Sequence, residues 1–270
     1  MKRLLITDLD DTLYDWIGFF IPSFYEMADE IASITKINKD TLLKEFKLIH
    51  QRCGSVEYPF AALELPSVLN KYGGKSKEEI KEILGEAFHK FNSVRKHSLK
   101  LYDGVEETLK QLSDDGIIII GYTESAQENG FYRLKRLGIS QYFKHIYVSE
   151  SQYQNGIAAN EKIIKVKTKK PDKDVLLEIC KREDCSLEDA VYVGDSMTKD
   201  IYMAGLAGIT SVWVNYPKEK NNYYDLLVAI TSWTNEDFNR EKLIKQEFEK
   251  SKMKPDYTIH NFKELLKIFK

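Results

Sequence analysis

The sequence predicts an α/β protein, a doubly wound parallel sheet core with a small all-helical cap domain. Three observations predict it. Leu4-Leu5-Ile6-Thr7 is a short apolar run that stops at three acids within four residues, Asp8, Asp10 and Asp11, and it reads as a buried strand. Ile117-Ile118-Ile119-Ile120 follows the turn Asp114-Asp115-Gly116, and a run apolar on every position marks a strand covered on both faces, as in a parallel sheet. From Tyr102 onward strands and helices alternate, whereas residues from about 16 to 98 carry only helical spacing.

In order, the first helical signal is Phe20, Phe24, Met27, Ala28, Ile31 and Ala32, and the second is Leu42, Leu43, Phe46 and Ile49 after a cap at Asn38 or Asp40. A third follows Pro59, with Leu65, Val68, Leu69 and Tyr72. The fourth opens on a capping box, Ser76-x-x-Glu79, and continues through Ile80, Ile83, Leu84, Ala87, Phe88 and Phe91. This block is too long for a crossover between neighbouring parallel strands, so it reads as an inserted domain over 16–98, with residues 1–15 and 99–270 forming the core.

Within the core, a helix with Val105, Leu109 and Leu112 leads into the isoleucine strand, which Gly121-Tyr122-Thr123 ends. A helix carrying Phe131, Leu134 and Leu137 closes on Gly138. Ile146-Tyr147-Val148 is the next strand, Val175, Leu176 and Ile179 mark a helix, and Val191-Tyr192-Val193 runs into Gly194-Asp195. Ile209 to Val214 is a further strand. Residues 151–169 form a long connection rich in Asn, Gln and Lys, and 218–254 is an extra segment of the core. Pro255 to Ile259 is a last short strand, followed by a helix with Phe262, Leu265, Leu266 and Phe269. In a doubly wound sheet the ligand site lies at the C-terminal ends of the strands. Asp8, Thr123 and Asp195 each stand at such an end.

Composition narrows the function. With 270 residues, 43% hydrophobic and 30% charged, the chain is an ordinary globular protein, and a formal net charge of -2 gives no general affinity for nucleic acid or anionic lipid. No apolar stretch approaches the roughly 20 residues of a membrane helix. Cys53, Cys180 and Cys185 are too few and too odd in number for a disulfide framework. The expectation is a cytoplasmic protein without signal peptide, nucleic-acid partner or membrane.

Extended geometry places Asp8 and Asp10 on one side of the chain, where two carboxylates repel unless one is protonated or a cation lies between them. The plain alternative is an acidic turn with Asp11 capping a helix. Four elements stand in order: Asp8-Leu9-Asp10-Asp11-Thr12, Thr123 after an apolar strand, Lys170-Pro171-Asp172, and Gly194-Asp195-Ser196-x-x-x-Asp200. In this the chain resembles the haloacid dehalogenase superfamily, in its Mg²⁺-dependent phosphatase branch with a Rossmann-like core and a helical cap between the first and second motifs.

The resemblance implies a phosphatase acting on a small phosphorylated metabolite. Asp8 would attack phosphorus and form an aspartyl-phosphate. Asp10 would protonate the leaving oxygen and then take a proton from the hydrolytic water. Mg²⁺ would be held by the Asp8 and Asp195 carboxylates and the Asp10 backbone carbonyl. Thr123 through its hydroxyl, Glu124 through its amide and Lys170 through its ammonium would bind the phosphoryl oxygens. Asp200 would orient Lys170 or a metal-bound water.

Plainer roles stand beside these. Thr123 and Asp195 would serve as helix caps, and Lys170 sits among Lys162, Lys165, Lys167, Lys169 and Lys173, with Lys169 as the fallback. That lysine run is a solvated loop or an anion site. Tyr14, Trp16, Phe19, Phe20 and Tyr58-Pro59-Phe60 would stack on a substrate or fill the cap core. The family usually reaches its lysine soon after a strand, and here about twenty residues intervene. Asp10 disfavours the dehalogenase branch, which lacks this acid. A sugar-phosphate mutase and a non-catalytic phospho-ligand binder remain the alternatives to hydrolysis.

Overall fold

The computed structural model describes residues 2–58, 60–150, 160–217 and 222–270. Most of the 151–169 connection, the start of the 218–254 segment and Pro59 lie outside the described residues. Strand β1 (Leu4–Thr7) is followed by α1 (Trp16–Thr35), α2 (Lys39–Cys53), α3 (Pro66–Lys71), α4 (Lys77–Ile83) and α5 (Gly85–Ser98). Then come α6 (Val105–Asp114), β2 (Ile118–Ala126), α7 (Gln127–Arg136), β3 (His145–Ser149) and β4 (Ile163–Val166). They are followed by α8 (Lys173–Arg182), β5 (Ala190–Gly194), α9 (Tyr202–Ala207) and β6 (Thr210–Val214). Helices α10 (Tyr223–Ala229) and α11 (Asn235–Ser251), strand β7 (Tyr257–Ile259) and a closing 3₁₀ turn, Phe262–Lys267, complete the chain.

The chain divides into two compact units, Met1–Asp15 with Lys100–Lys218 and Lys242–Lys270, and Trp16–Leu99 with Glu219–Glu241. The first holds all seven strands, in the order β4-β3-β2-β1-β5-β6-β7, every neighbouring pair parallel. The chain winds outward from β1 to β4, then returns to the other side of β1 for β5 to β7. Strand β1 is therefore the point where the winding reverses, and a ligand site is expected at its C-terminal end. Leu4 and Ile6 cluster with Tyr122, Tyr147 and Tyr192 against Leu176 and Ile179 of α8 and Met203 of α9. Leu5, Ile119 and Val191, at the alternate positions, are just as buried. Both faces are covered, which explains the unbroken apolar strands.

Strand β4 is missing from the sequence reading. Its residues are half-buried or exposed, so neither an apolar run nor an alternation announces an edge strand amid lysines. Its presence removes the apparent delay before Lys170, because Lys170 comes shortly after β4 ends at Val166. The isoleucine strand also runs further than expected. It continues through Thr123 to Ala126, and its pairing with β3 is irregular between Tyr122 and Ala126. Thr123 thus lies within an irregular strand end, and Ala126 occupies the N-cap of α7.

The second unit contains only helices among its described residues. Asn38 caps α2, and Ser76 and Glu79 form the expected capping box at α4. The single fourth helix of the sequence reading is two, broken at Leu84. Phe19 and Phe20 are buried in the core of this unit, and the half-buried Trp16 stacks on Phe20 at 4.9 Å. The 218–254 segment, expected wholly in the core, is divided between the units. Its early part is tied to α1 and α2 by side-chain donors on backbone carbonyls: Tyr25 Oη on Leu226 (3.0 Å), His50 Nδ1 on Ile230 (2.7 Å) and Gln51 Nε2 on Trp233 (2.8 Å).

His50 is fully buried. Burial pulls its imidazole down to about 4 from the ordinary 6.5, against the upward pull of the Ile230 carbonyl. Between those values the unfolded chain binds the proton and the folded one does not, so stability falls as pH drops from about 6.5 toward 4. The gap is worth roughly 3 kcal/mol once crossed. Urea unfolding at pH 7 and pH 4.5 should show the wild type losing more stability on acidification than His50→Leu does. Equal losses would remove His50 as the cause.

Candidate active site

The site is built on the C-terminal ends of β1, β2 and β5 and on the segment after β4. Strand β1 ends at Thr7, and the Asp8 amide still donates to the Val193 carbonyl at 2.9 Å, holding the residue against β5. The chain then turns sharply. Leu13 N donates to the Leu9 carbonyl, and Asp11 takes the left-handed conformation with φ 58°. Asp11 therefore shapes the turn. The turn returns Thr12 Oγ1 to Asp8 Oδ2 at 3.0 Å. Lys170 Nζ reaches Asp8 Oδ1 at 2.5 Å and Asp200 Oδ1 at 2.9 Å.

Lys170 is buried and lies over the rings of Tyr122 and Tyr192, 4.9 and 5.5 Å from their centroids. Burial alone would lower its ammonium, but Asp200 and Asp8 outweigh that and hold it well above the ordinary lysine range. Of the six lysines in this stretch, the one before Pro171 is the one brought to Asp8.

Carboxylate oxygens of Asp8, Asp195 and Asp200 come within 4.8 Å of one another. Burial, opposed by Lys170 and reinforced by Asp200, Asp195 and Asp10, pushes the Asp8 carboxyl well above the carboxylate range. Three carboxylates against one ammonium leave surplus negative charge in a buried place. Hard oxygen donors with surplus charge fit a hard divalent cation.

Asp200 is already committed: Oδ1 also accepts from Tyr192 Oη at 2.8 Å and Oδ2 from the Ser196 amide at 3.0 Å. Gly194 makes room for it. A Cβ there would sit 2.4 Å from Asp200 Cγ, so the glycine is required by close approach. The cap of the following turn is Ser196, whose hydroxyl accepts from the Lys199 amide. Trp213 Nε1 donates to the Asp195 carbonyl at 2.8 Å.

The Asp10 charge is felt at Asp8, and its carboxylate has its own set of donors. Tyr14 Oη donates to Oδ1 at 2.9 Å, and Thr123 Oγ1 and Ser125 Oγ donate to Oδ2 at 3.1 and 2.8 Å. Arg133 lies 3.4 Å from Oδ1. Tyr14 is fully buried, with its hydroxyl on Asp10. Glu124 places its carboxylate on Lys199 Nζ (2.7 Å) and the Lys170 amide (3.2 Å). Sequence reasoning missed Ser125 and Arg133. Their only signal was position, two residues past Thr123 and on the apolar face of the next helix.

A family model described as haloacid dehalogenase-like hydrolase matches residues 5–214. The chain is 26% identical over 229 residues to a glyceraldehyde 3-phosphate phosphatase of Methanopyrus kandleri, covering 81% of this chain and 86% of that protein. Among solved structures it is similar to a HAD phosphatase from Thermococcus onnurineus, with TM-score 0.56 and 20% identity over 99% of this chain and 97% of that one. It is also similar to a 2-haloacid dehalogenase from Pseudomonas syringae pv. Tomato DC3000, with TM-score 0.55 and 22% identity over 99% and 98%. These structural likenesses speak to the fold alone.

Proposed function

We propose, from the premise that this chain belongs to the haloacid dehalogenase-like hydrolases, that it hydrolyses a small phosphomonoester through an aspartyl-phosphate on Asp8. One observation carries the reading: Asp8, Lys170, Asp195 and Asp200, from three separate stretches of chain, meet with Asp8 Oδ1 2.5 Å from Lys170 Nζ and three carboxylates within 4.8 Å. The relatives named glyceraldehyde 3-phosphate phosphatase support a small phosphorylated substrate. A three-carbon sugar phosphate is therefore the first ester to try.

In this reading a carboxylate oxygen of Asp8 attacks phosphorus in line with the leaving oxygen, and the ester P–O bond breaks. Asp10 gives its proton to that oxygen, then takes one from the water that attacks phosphorus, and the bond to Asp8 breaks. When the ester binds, the Thr123 hydroxyl turns its one proton from Asp10 to a phosphoryl oxygen, the Glu124 amide donates to another, and Lys170 keeps Asp8 oriented while adding positive charge. Mg²⁺, held by Asp8, Asp195 and the Asp10 carbonyl, would supply charge neutralisation for the phosphoryl oxygens.

The test is turnover of p-nitrophenyl phosphate with and without Mg²⁺. The reading expects hydrolysis with Mg²⁺, its loss on chelation and its return on re-addition. Saturable binding of phosphate esters without turnover would overturn it in favour of a binding protein. Gly194→Ala probes the packing behind the site. The added methyl must displace the Asp200 carboxylate, so melting should report a loss of about 1–3 kcal/mol. Turnover should fall at least about tenfold as Lys170 loses a partner. Unchanged melting and rate would show that Asp200 need not stay in place.

A further inference from the structure

We propose that Arg133 is a positioning residue for Asp10, acting through Ser125. This rests on the phosphatase reading above. The guanidinium is buried, 2% exposed, on the inner side of α7. Nη2 donates to Ser125 Oγ at 2.7 Å, and Ser125 Oγ donates to Asp10 Oδ2 at 2.8 Å. A second relay runs beside the first: the Ser125 amide donates to Thr123 Oγ1 at 3.0 Å, and Thr123 Oγ1 donates to the same Asp10 oxygen at 3.1 Å.

A hydroxyl has one proton to give, and its orientation is normally free. Here each hydroxyl accepts from a group that can only donate, a guanidinium in one relay and an amide in the other. The proton of each is thereby aimed at Asp10 Oδ2. Arg133 fixes the polarity of the first relay and also stands 3.4 Å from Oδ1 and 5.7 Å from the Tyr14 ring, whose hydroxyl binds Oδ1.

The close seating of α7 serves this arrangement. A Cβ on Gly130 would come within 3.3 Å of Thr123 Cγ2 and 3.5 Å of Ser125 Cβ, so the glycine lets the helix lie against both hydroxyl residues. Arg133 follows within one turn. A buried charge is costly, and an apolar side chain would fill this place without that cost. Its place beside Ser125 and Asp10 gives the charge a use. An acid that delivers a proton as a bond breaks must be held in one pose, and loosening it costs rate without changing ground-state binding.

The experiment compares wild type, Arg133→Met, Arg133→Lys and Ser125→Ala on substituted phenyl phosphates spanning good to poor leaving groups. A leaving group that is a stable anion does not need Asp10's proton, whereas a poor one does. For Arg133→Met, kcat/KM, which reports the first step, should fall about tenfold or more on the poorest leaving group and less than about threefold on the best. The dependence of rate on leaving-group pKa becomes steeper. Arg133→Lys should recover much of the loss, and Ser125→Ala should steepen the same line, which keeps the test open if Arg133→Met does not fold. Parallel lines, or a wild-type line as steep as the variants', would overturn the proposal. If wild type hydrolyses none of the series, the phosphatase reading fails instead.

Discussion

Asp8→Asn should abolish turnover, by at least about 10⁴-fold, since removal of a covalent nucleophile leaves only binding and charge stabilisation. The same change should leave the protein as stable as wild type or more so in metal-free buffer. Asparagine keeps the shape, its carbonyl oxygen can still accept from Lys170, and its removal of charge relieves a crowded site. The sign follows from the Asp8 carboxyl, which burial and the neighbouring acids hold well above its ordinary range. A group whose pKa is raised on folding favours the folded state at low pH and loses that contribution as pH rises through the folded value. At neutral pH an ionised Asp8 is therefore a cost that asparagine does not carry. Melting in chelator, together with kcat, checks both halves. Retained activity would remove Asp8 as nucleophile, and a large drop in melting temperature would make it a structural residue.

Lys170→Met should damage both stability and rate. The side chain is buried against Asp8 and Asp200, with Tyr192 sharing Asp200. Removing one partner of a buried ion pair leaves uncompensated charge and costs about 3–5 kcal/mol. The rate should fall about 10²–10³-fold, as for other donors that stabilise developing charge. Lys169→Met, on the neighbouring candidate, should leave urea unfolding and turnover near wild type. A reversal between these two variants would reassign the phosphate-binding lysine.

Much of the α/β unit was legible because its strands are buried on both faces and so appear as unbroken apolar runs. The ends of those runs, Asp8 and Gly194-Asp195, already marked two of the three acids that meet. What escaped depends on contacts distant in the chain. Strand β4 is a half-buried edge whose lysines hide it. The tie of residues 222–241 to the helical unit rests on carbonyls of Leu226, Ile230 and Trp233, and backbone acceptors leave no trace in a side-chain pattern. Asp10 was read as an acid beside Asp8, but its partners Tyr14, Thr123, Ser125 and Arg133 are ones no strand pattern links to it. Arg133 lies on the apolar face of its helix, and only the fold shows that its guanidinium reaches Ser125 and Asp10.

The most direct test is rapid acid quench of Asp10→Asn mixed with Mg²⁺ and an activated aryl phosphate, followed by peptide mass spectrometry. The good leaving group lets the first step proceed without Asp10, and loss of the base slows the second, so the covalent species accumulates. The account predicts a phosphoryl group on the peptide carrying Asp8, absent when Asp8 is also replaced by asparagine. Turnover with no covalent phosphoryl group, or with one on another residue, would contradict it.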